Sequence, residues 1–222
     1  MTTQSPHEIR GRGGRLLDAV LTRPSGGGKR GLVLAMAGYS YGSDAPYLYY
    51  SALTACAAGY DVLAVDFAYP RLEGFAGLPD ADQDALFDEE VRAVGAAALA
   101  LGRDSIVPLG KSLGSTTVLK LLRDGAFAEK APGAVWITPG SFSGEIYPFL
   151  ASWDKPSLVA YGTADAYTSP EQRRMAAEAP LVTALEMEGA DHALDIDDAE
   201  GSVGYLLEYV RQLDSFLRGL VG

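Results

Sequence analysis

Residues 110–114, Gly-Lys-Ser-Leu-Gly, constrain the fold of this chain most, because they separate a strand-like sequence from a helix-like one. Upstream, positions 105–109 read Ser-Ile-Val-Pro-Leu, which is typical of a short buried strand. Downstream, positions 115–124 carry apolar residues at the spacing of one helix face. A G-x-S-x-G sequence between strand and helix is typical of a nucleophile elbow, a turn so tight that glycines flank its serine. The pattern predicts that the Ser112 hydroxyl stands at the N-terminus of the helix.

The same residues allow a second interpretation, since Gly-Lys-Ser also ends a phosphate-binding P-loop. That motif needs a glycine five residues before its Gly-Lys-Ser. Position 105 is a serine, and the residues between it and Gly110 are Ile, Val, Pro and Leu. These residues suit a strand rather than a glycine-rich loop whose amides wrap a phosphate. The P-loop interpretation is therefore disfavoured.

Size and charge limit the class of protein and its partners. A chain of 222 residues with 48% hydrophobic residues is long and apolar enough for one domain with a large core. Its net charge of −11 disfavours nucleic acid and anionic membranes, which bind basic surfaces. The first fifteen residues are polar and lack the apolar region of a secretory signal. We therefore expect a cytoplasmic protein that binds neither nucleic acid nor membrane.

Few side chains of this sequence are able to bind a transition metal. The chain contains two histidines and one cysteine, too few for the usual nitrogen and sulfur sites. Cys56 lies in a helix-like run with no histidine nearby in sequence, which favours a buried structural thiol. We expect no metal and no cofactor.

Strand-like and helix-like segments alternate along the chain, which predicts a mostly parallel sheet with helices on both faces. Residues 1–222 are expected to form a single α/β domain, in which residues 1–14 are a flexible leader. Residues 139–155 are predicted to be a loop. Strands are predicted at 15–23, 31–37, 61–67, 105–109, 134–138, 157–161 and 181–187, and helices at 46–58, 82–101, 115–124, 169–177 and 203–217.

A serine hydroxyl is a weak nucleophile unless a base removes its proton. The candidate bases are His7, in the polar leader, and His192, in a loop after the last predicted strand. Loops that follow parallel strands gather at one edge of the sheet, so His192 is expected to reach Ser112 there. We therefore predict Ser112 as the nucleophile and His192 as the base.

The base in turn needs a carboxylate that fixes its tautomer. Asp165 follows a predicted strand, and the order Ser, Asp, His along the chain is that of the α/β-hydrolase triad. Asp191 and Asp195 compete by proximity in sequence, but a close neighbour of a histidine usually points elsewhere. Asp66 also ends a strand, yet it precedes the elbow and is expected to bind loop amides. Asp165 is the predicted acid.

A carbonyl substrate would develop an oxyanion that needs two N–H donors. The amide of Leu113, directly after the nucleophile, is one predicted donor. The amide of Tyr39, in the glycine-rich loop after the strand at 31–37, is the other. Lys111 suggests a Ser-Lys mechanism, but adjacent residues on a sharp turn point apart, which favours a structural or surface lysine.

With these residues together, the chain resembles the α/β-hydrolase superfamily, and within it the small capless members similar to dienelactone hydrolases and esterases. The resemblance extends over nearly the whole chain. It rests on the elbow and on three further motifs: Ala-Gly-Tyr at 37–39, Gly-Thr-Ala-Asp at 162–165 and Gly-Ala-Asp-His at 189–192. Two features depart from the common pattern. Ala37 stands where many members have histidine, and the insertion at 139–155 is too short for a folded cap.

The resemblance implies a serine hydrolase that cleaves a carboxylic ester, a thioester or a lactone of a small-molecule acyl substrate. The same triad also supports acyl transfer, C–C hydrolysis or perhydrolysis, and a non-catalytic binding protein with this fold is the remaining alternative. Oligomeric state is left open. Aromatic residues on two loops are expected to form an apolar pocket, and the predicted substrate contacts are Tyr41, Phe142, Tyr147 and Trp153.

Overall fold

The computed structural model describes residues 2–140 and 143–220, and every strand of these residues belongs to one sheet. Across the sheet the strands are ordered β1-β2-β4-β3-β5-β6-β7-β8. β1 pairs antiparallel with β2, β2 pairs antiparallel with β4, and the remaining neighbours are parallel, as predicted. The strands are β1 (Thr2–Pro6), β2 (Asp18–Pro24), β3 (Leu32–Met36), β4 (Asp61–Asp66), β5 (Ile106–Lys111), β6 (Ala134–Ile137), β7 (Ser157–Gly162) and β8 (Val182–Met187).

Helices cover both faces of the sheet, which confirms the predicted fold class. The buried side chains of α1 and α7 pack on one face, and those of α2 to α6 pack on the other. In the described residues the helices are α1 (Pro46–Ala57), α2 (Asp80–Ala100), α3 (Leu113–Leu122), α4 (Gly125–Lys130), α5 (Ile146–Ser152), α6 (Pro170–Glu178) and α7 (Ala199–Gly219).

The central strands read as continuous apolar runs because both of their faces are covered. In β3, Leu32, Leu34 and Met36 enter one core while Val33 and Ala35 enter the other. This alternation follows from the two-residue period of a strand. Two apolar layers, one on each face, therefore hold the sheet and fix the positions of the strand ends.

Local signals explain where the later helices begin. Ser169 accepts a hydrogen bond from the Gln172 amide, and the Gln172 side chain accepts one from the Ser169 amide, which forms a capping box. Pro170 occupies the first turn of α6, where its missing N–H costs nothing. Asp198 caps α7 by accepting from the Gly201 amide.

Three segments differ from the sequence-based expectation. The leader contains β1, a fully exposed strand paired along the edge of β2, so residues 2–6 are not a free tail. Within the predicted loop at 139–155, α5 forms because Ile146, Tyr147 and Leu150 reach the core. The helix α4 was not predicted, since six residues carry too little periodicity.

The parallel strands end at the same edge of the sheet, and three of these ends lead into the segments with the predicted triad. Ser112 directly follows β5, Asp165 lies three residues after β7, and His192 lies five residues after β8. Among the described residues, no helix has both the length and the apolar character needed to cross a membrane.

Candidate active site

Ser112 occupies a strained backbone position between β5 and α3. Its backbone angles, φ 53° and ψ −112°, lie outside the regions that residues other than glycine usually adopt. The two flanking glycines make this turn possible. A Cβ on Gly110 would lie 2.2 Å from the Gly114 carbonyl oxygen, and a Cβ on Gly114 would lie 2.1 Å from that of Met36. Residues 110–114 thus form the predicted elbow, and both glycines are required by close backbone approach.

The structure brings the three predicted triad residues into one chain of hydrogen bonds. Ser112 Oγ lies 3.0 Å from His192 Nε2, and His192 Nδ1 lies 2.9 Å from Asp165 Oδ2. The Asp165 carboxylate is buried, whereas the imidazole keeps 28% of its side-chain surface exposed. This arrangement places a base on the serine hydroxyl and a carboxylate on the far side of the base, as nucleophile activation requires.

The Asp165 carboxylate is held by the turn that follows β7. Its Oδ1 accepts a 2.9 Å hydrogen bond from the Tyr167 amide, and Thr168 Oγ1 approaches Oδ2 at 3.4 Å. Burial alone would raise the pKa of Asp165, but hydrogen bonds from His192 and Tyr167 outweigh it and lower the pKa below its usual value. The acid therefore stays ionised and can orient the imidazole at neutral pH.

Two other aspartates considered from the sequence, Asp191 and Asp66, accept hydrogen bonds from main-chain amides. Asp191 Oδ1 accepts from the amides of Ala193 and Asp195 at 2.7 and 3.1 Å, so it folds the histidine loop upon itself. Asp66 Oδ1 accepts from the Ala68 amide at 2.8 Å, which confirms the expected loop contact. On the other side of the histidine loop, Tyr47 donates its hydroxyl to the Leu194 carbonyl at 3.2 Å. The His192 loop is thus braced by its own aspartate and by α1.

Lys111, the residue before the nucleophile, is buried. Its ammonium donates to Thr138 Oγ1 at 2.8 Å and to the His192 carbonyl oxygen at 2.7 Å. The same nitrogen lies 4.7 Å from the centre of the Tyr41 ring. Because these contacts are internal, Lys111 is a structural and not a surface lysine, one of the two roles expected for it.

The two residues predicted to supply the oxyanion donors, Leu113 and Tyr39, belong to segments next to Ser112. Leu113 is the first residue of α3, where the amides point toward the positive end of the helix dipole. A Cβ built on Gly38 would lie 3.5 Å from Ser112 Cβ, so the loop before Tyr39 runs against the elbow. A hydrogen bond of 2.9 Å from the Gly38 amide to the Tyr41 carbonyl fixes that loop.

An open cavity of about 480 Å³ lies over the serine. Tyr41 contributes to its wall, and its predicted contact with substrate stays a prediction. Tyr147 does not contribute to the wall, because α5 buries its side chain completely in the core, and that predicted contact is wrong. Trp153 stacks on Phe149 away from this cavity, and Phe142 lies outside the described residues. The cavity is lined by Tyr39, Ser40, Tyr41, Lys111, Ser112, Tyr167, Asp191, His192 and Ala193.

Sequence reasoning missed Tyr167, whose ring meets the His192 ring edge-on with centroids 4.8 Å apart. Tyr167 is 56% exposed and forms one wall of the cavity. Its position two residues after Asp165, beyond the end of β7, was the available signal. In the part of the chain that the structure describes, no group of three His, Cys, Asp or Glu side chains is arranged to hold a metal ion.

Comparison with solved structures agrees with this architecture, although no family model and no curated protein matches the sequence. Est1E from Butyrivibrio proteoclasticus superposes with a TM-score of 0.70 at 14% identity, over 98% of this chain and 99% of that one. A putative dienelactone hydrolase from Klebsiella pneumoniae gives 0.65 at 16% identity, over 96% and 98%. An α/β serine hydrolase without a lid, from Xanthomonas campestris, gives 0.64 at 17%, over 94% of each chain. The chain has the α/β-hydrolase fold.

Between β6 and β7, the described residues contain one α-helix, α5, whose apolar side chains join the core. No cap domain covers the serine in the described residues. The cavity over Ser112 is open.

Proposed function

We propose that this protein is a serine hydrolase that cleaves a carboxylic ester, a thioester or a lactone through an acyl-enzyme on Ser112. The observation that carries the proposal is the chain of two hydrogen bonds, 3.0 and 2.9 Å long, from Ser112 through His192 to Asp165. Ser112, where these hydrogen bonds begin, lies in a strained elbow at the end of the central strand β5. Those three side chains in that order are the parts that activated acyl transfer to a serine needs.

In the first half of the reaction, Ser112 Oγ attacks the acyl carbon while His192 Nε2 takes its proton. This requires the tautomer in which Nδ1–H donates to Asp165 and Nε2 presents a lone pair to the serine. The imidazolium that results is stabilised by the ionised carboxylate, and it then gives its proton to the leaving alkoxide or thiolate. The acyl group remains as an ester on Ser112.

The developing oxyanion is assigned to the amides of Leu113 and Tyr39. Donors of this kind are held in place before the reaction and need no reorganisation when charge appears on the carbonyl oxygen. In the second half, water enters from the open face, His192 removes its proton, and the acyl-enzyme is hydrolysed. Exposure of the site favours water as the acceptor over a retained alcohol.

The shape and charge of the cavity favour a small, uncharged acyl group. Tyrosines form its walls, and its volume of about 480 Å³ is that of a small-molecule site, which favours a short or planar acyl group. Asp191 lies on its rim, and an anionic substrate would meet that charge. The structural neighbour Est1E has been solved with ferulic acid bound. An aromatic acid of that kind is one candidate acyl group here.

The decisive experiment compares Ser112→Ala with the wild type. Wild type is expected to hydrolyse p-nitrophenyl acetate and to become labelled on Ser112 by a fluorophosphonate. The variant is expected to lose roughly 10⁵- to 10⁶-fold in kcat and all labelling, because its nucleophile is absent. Ser152→Ala is the matched control, since that hydroxyl bonds only within α5.

Retention of the esterase rate in Ser112→Ala, or labelling of another residue, would contradict the proposal. A second experiment defines the acyl group with p-nitrophenyl acetate, butyrate and octanoate and with methyl ferulate. The open cavity predicts that octanoate is the poorest of these substrates. Product analysis with added methanol separates hydrolysis from acyl transfer.

A further inference from the structure

Lys111 carries a buried cation whose contacts all go to segments that surround the serine. Its side chain is 1% exposed, although lysine is among the residues least often buried. Two of its three donor hydrogens are directed to Thr138 Oγ1 and the His192 carbonyl, and the ammonium also faces the Tyr41 ring. One side chain thus joins β5, the end of β6, the histidine loop and the loop before α1.

Burying this charge opposes stability, because no carboxylate of the described residues lies within ion-pair distance of the ammonium. Burial lowers the pKa of Lys111 to about 8, and the more distant Asp165, Asp191 and Asp195 only partly oppose that shift. An apolar side chain of similar volume would often serve the core as well or better. The presence of lysine here therefore calls for a role other than packing.

Thr138, which accepts from Lys111, is itself held in an unfavourable backbone conformation. Its φ is 45°, a region in which a β-branched residue is a clear outlier. Thr138 is fully buried, and its amide still pairs with the Ala160 carbonyl at 2.8 Å. Strain of this kind persists where the surroundings over-determine it, often beside a functional site. Here it brings the hydroxyl to the ammonium.

We propose that Lys111 is a positioning residue, whose ammonium ties the main chain at His192 to the strand that carries Ser112 and so keeps the imidazole on the serine hydroxyl. The inference rests on the proposed function, since it assigns Lys111 to the same triad. Thr138 orients the ammonium, and the Tyr41 ring covers its remaining side. Without this tie, the histidine loop would keep its internal turn but lose its fixed distance to the elbow.

Direct participation of Lys111 in proton transfer is not part of this role. The hydroxyl of Ser112 already has His192 Nε2 as its base at 3.0 Å. The hydrogen bonds of the ammonium run to an oxygen of Thr138 and to a main-chain oxygen, neither of which reacts. The lysine acts through the position of His192.

The first test is Lys111→Met, which keeps the length of an apolar stem and removes the donors. A displacement of about 1 Å in a catalytic group can cost about 100-fold in rate. We expect kcat and the rate constant for fluorophosphonate labelling to fall together by roughly 10- to 100-fold, with KM changed less than about threefold. A rise in KM at unchanged kcat would overturn the proposal, because it would place Lys111 in substrate binding.

Lys155→Met is the matched control. Lys155 also donates to two main-chain carbonyls, those of Ala128 and Ala131, but at the end of α4 and away from the triad. The Lys155→Met variant is expected to have a lower Tm but an unchanged kcat and an unchanged rate of labelling. An equal loss of activity in both variants would mean that general destabilisation, and not positioning, explains the effect of Lys111→Met.

A second pair of variants keeps the test valid if Lys111→Met does not fold. Thr138→Val preserves the shape of the side chain and removes the acceptor, whereas Thr138→Ser restores the hydroxyl. We expect the valine variant to lose kcat in the same direction as Lys111→Met, and the serine variant to return to within about twofold of the wild type. Equal activity of the valine and serine variants would contradict the role of the hydroxyl.

Hydrogen exchange followed by mass spectrometry measures the mobility of the histidine loop independently of enzymatic activity. Peptides that cover residues 188–196 should exchange at least about tenfold faster in Lys111→Met than in wild type, while those of α6 remain unchanged. If Lys111→Met changes neither the exchange of residues 188–196 nor kcat, the inference is wrong. The proposed function would still hold in that case, provided that Ser112 of the wild type is labelled. Failure of wild type to be labelled would instead refute the function itself.

Discussion

Two cations of this molecule, one partly buried and one fully buried, have opposite surroundings. Arg15 donates through Nη1 to both carboxylate oxygens of Glu90, at 2.6 and 2.8 Å, and the Tyr69 hydroxyl donates to the same carboxylate at 2.7 Å. We call Arg15, Glu90 and Tyr69 the N-terminal cluster. Lys111, the residue before Ser112, has neutral oxygens and a ring as its nearest partners.

The difference shows what each cation does. In the N-terminal cluster, charge is balanced within the cluster, so its effect is to hold the segment before β2 against α2 and the turn after β4. Around Lys111, the charge is left without a close counterion, next to the proposed nucleophile Ser112. Changes in the first region should alter stability and spare activity, whereas changes in the second should alter activity more than stability.

The largest effect on activity is expected for Asp165→Asn, which tests whether changes near Ser112 alter activity more than stability. The amide still fills the site but no longer selects the imidazole tautomer with Nδ1–H, so kcat should fall roughly 10⁴-fold. The free energy of unfolding should change by only about 1–2 kcal/mol, the usual value for one buried hydrogen bond. Initial rates and thermal melts on the same preparation measure both. A variant that melts far below wild type would break the comparison.

The second prediction concerns the N-terminal cluster. Glu90→Leu leaves Arg15 without its counterion and should lower the free energy of unfolding by about 3 kcal/mol, since breaking a buried pair is more costly than removing it whole. Denaturant unfolding measures the loss, and kcat per folded molecule should stay within about twofold.

The double variant Arg15→Met/Glu90→Leu is the control for that experiment. It removes both charges and should recover most of the lost stability. If the double variant is no more stable than Glu90→Leu, the cluster stabilises through packing rather than charge balance. In that case the contrast with Lys111 would lose its basis.

The smallest effect is in the acid dependence of stability. The pKa of Asp165 is lower in the folded protein than its usual value of 3.8, so the unfolded chain binds this proton more tightly. The contribution is fully present above the unfolded pKa and is lost as pH falls through the lowered one. The stability difference between wild type and Asp165→Asn should therefore begin to narrow as pH falls below about 4, and it should keep narrowing as pH falls through the lowered pKa. If the difference in the free energy of unfolding stays constant over this range, the ionised carboxylate is not stabilised by its hydrogen-bond partners.

The central fold was readable from the sequence because its signals are local. β3, β4 and β5 are apolar runs, the helices between them have recognisable lengths, and the glycines of the elbow stand in a strand–turn–helix context. Ser112, Asp165 and His192 were brought together by topology alone, since each follows a strand whose carboxyl end meets the others. For these residues chain order and strand direction were sufficient.

Other features depend on partners far away in the sequence. Buried Lys111 donates hydrogen bonds to Thr138 and to the carbonyl of His192. The sequence around position 111 gives no indication of either contact. Tyr147 was assigned to the pocket because it is aromatic and lies after β6, yet the formation of α5 turns it into the core. Such outcomes follow from which face of a short helix is covered, and a single sequence does not specify that.

β1 has a consequence for the molecule in solution. Its residues, Thr-Thr-Gln-Ser-Pro, are exposed along their whole length, and they occupy the hydrogen-bonding edge of β2, whose Ala19 and Leu21 belong to the core. An uncovered β2 would offer a partly apolar edge to the same strand of another copy, which is a common route to aggregation. A polar strand that ends in proline is a poor template for such pairing. Residues 2–6, expected from the sequence to be a flexible leader, therefore cover the edge of β2 with a strand that is itself a poor template for further pairing.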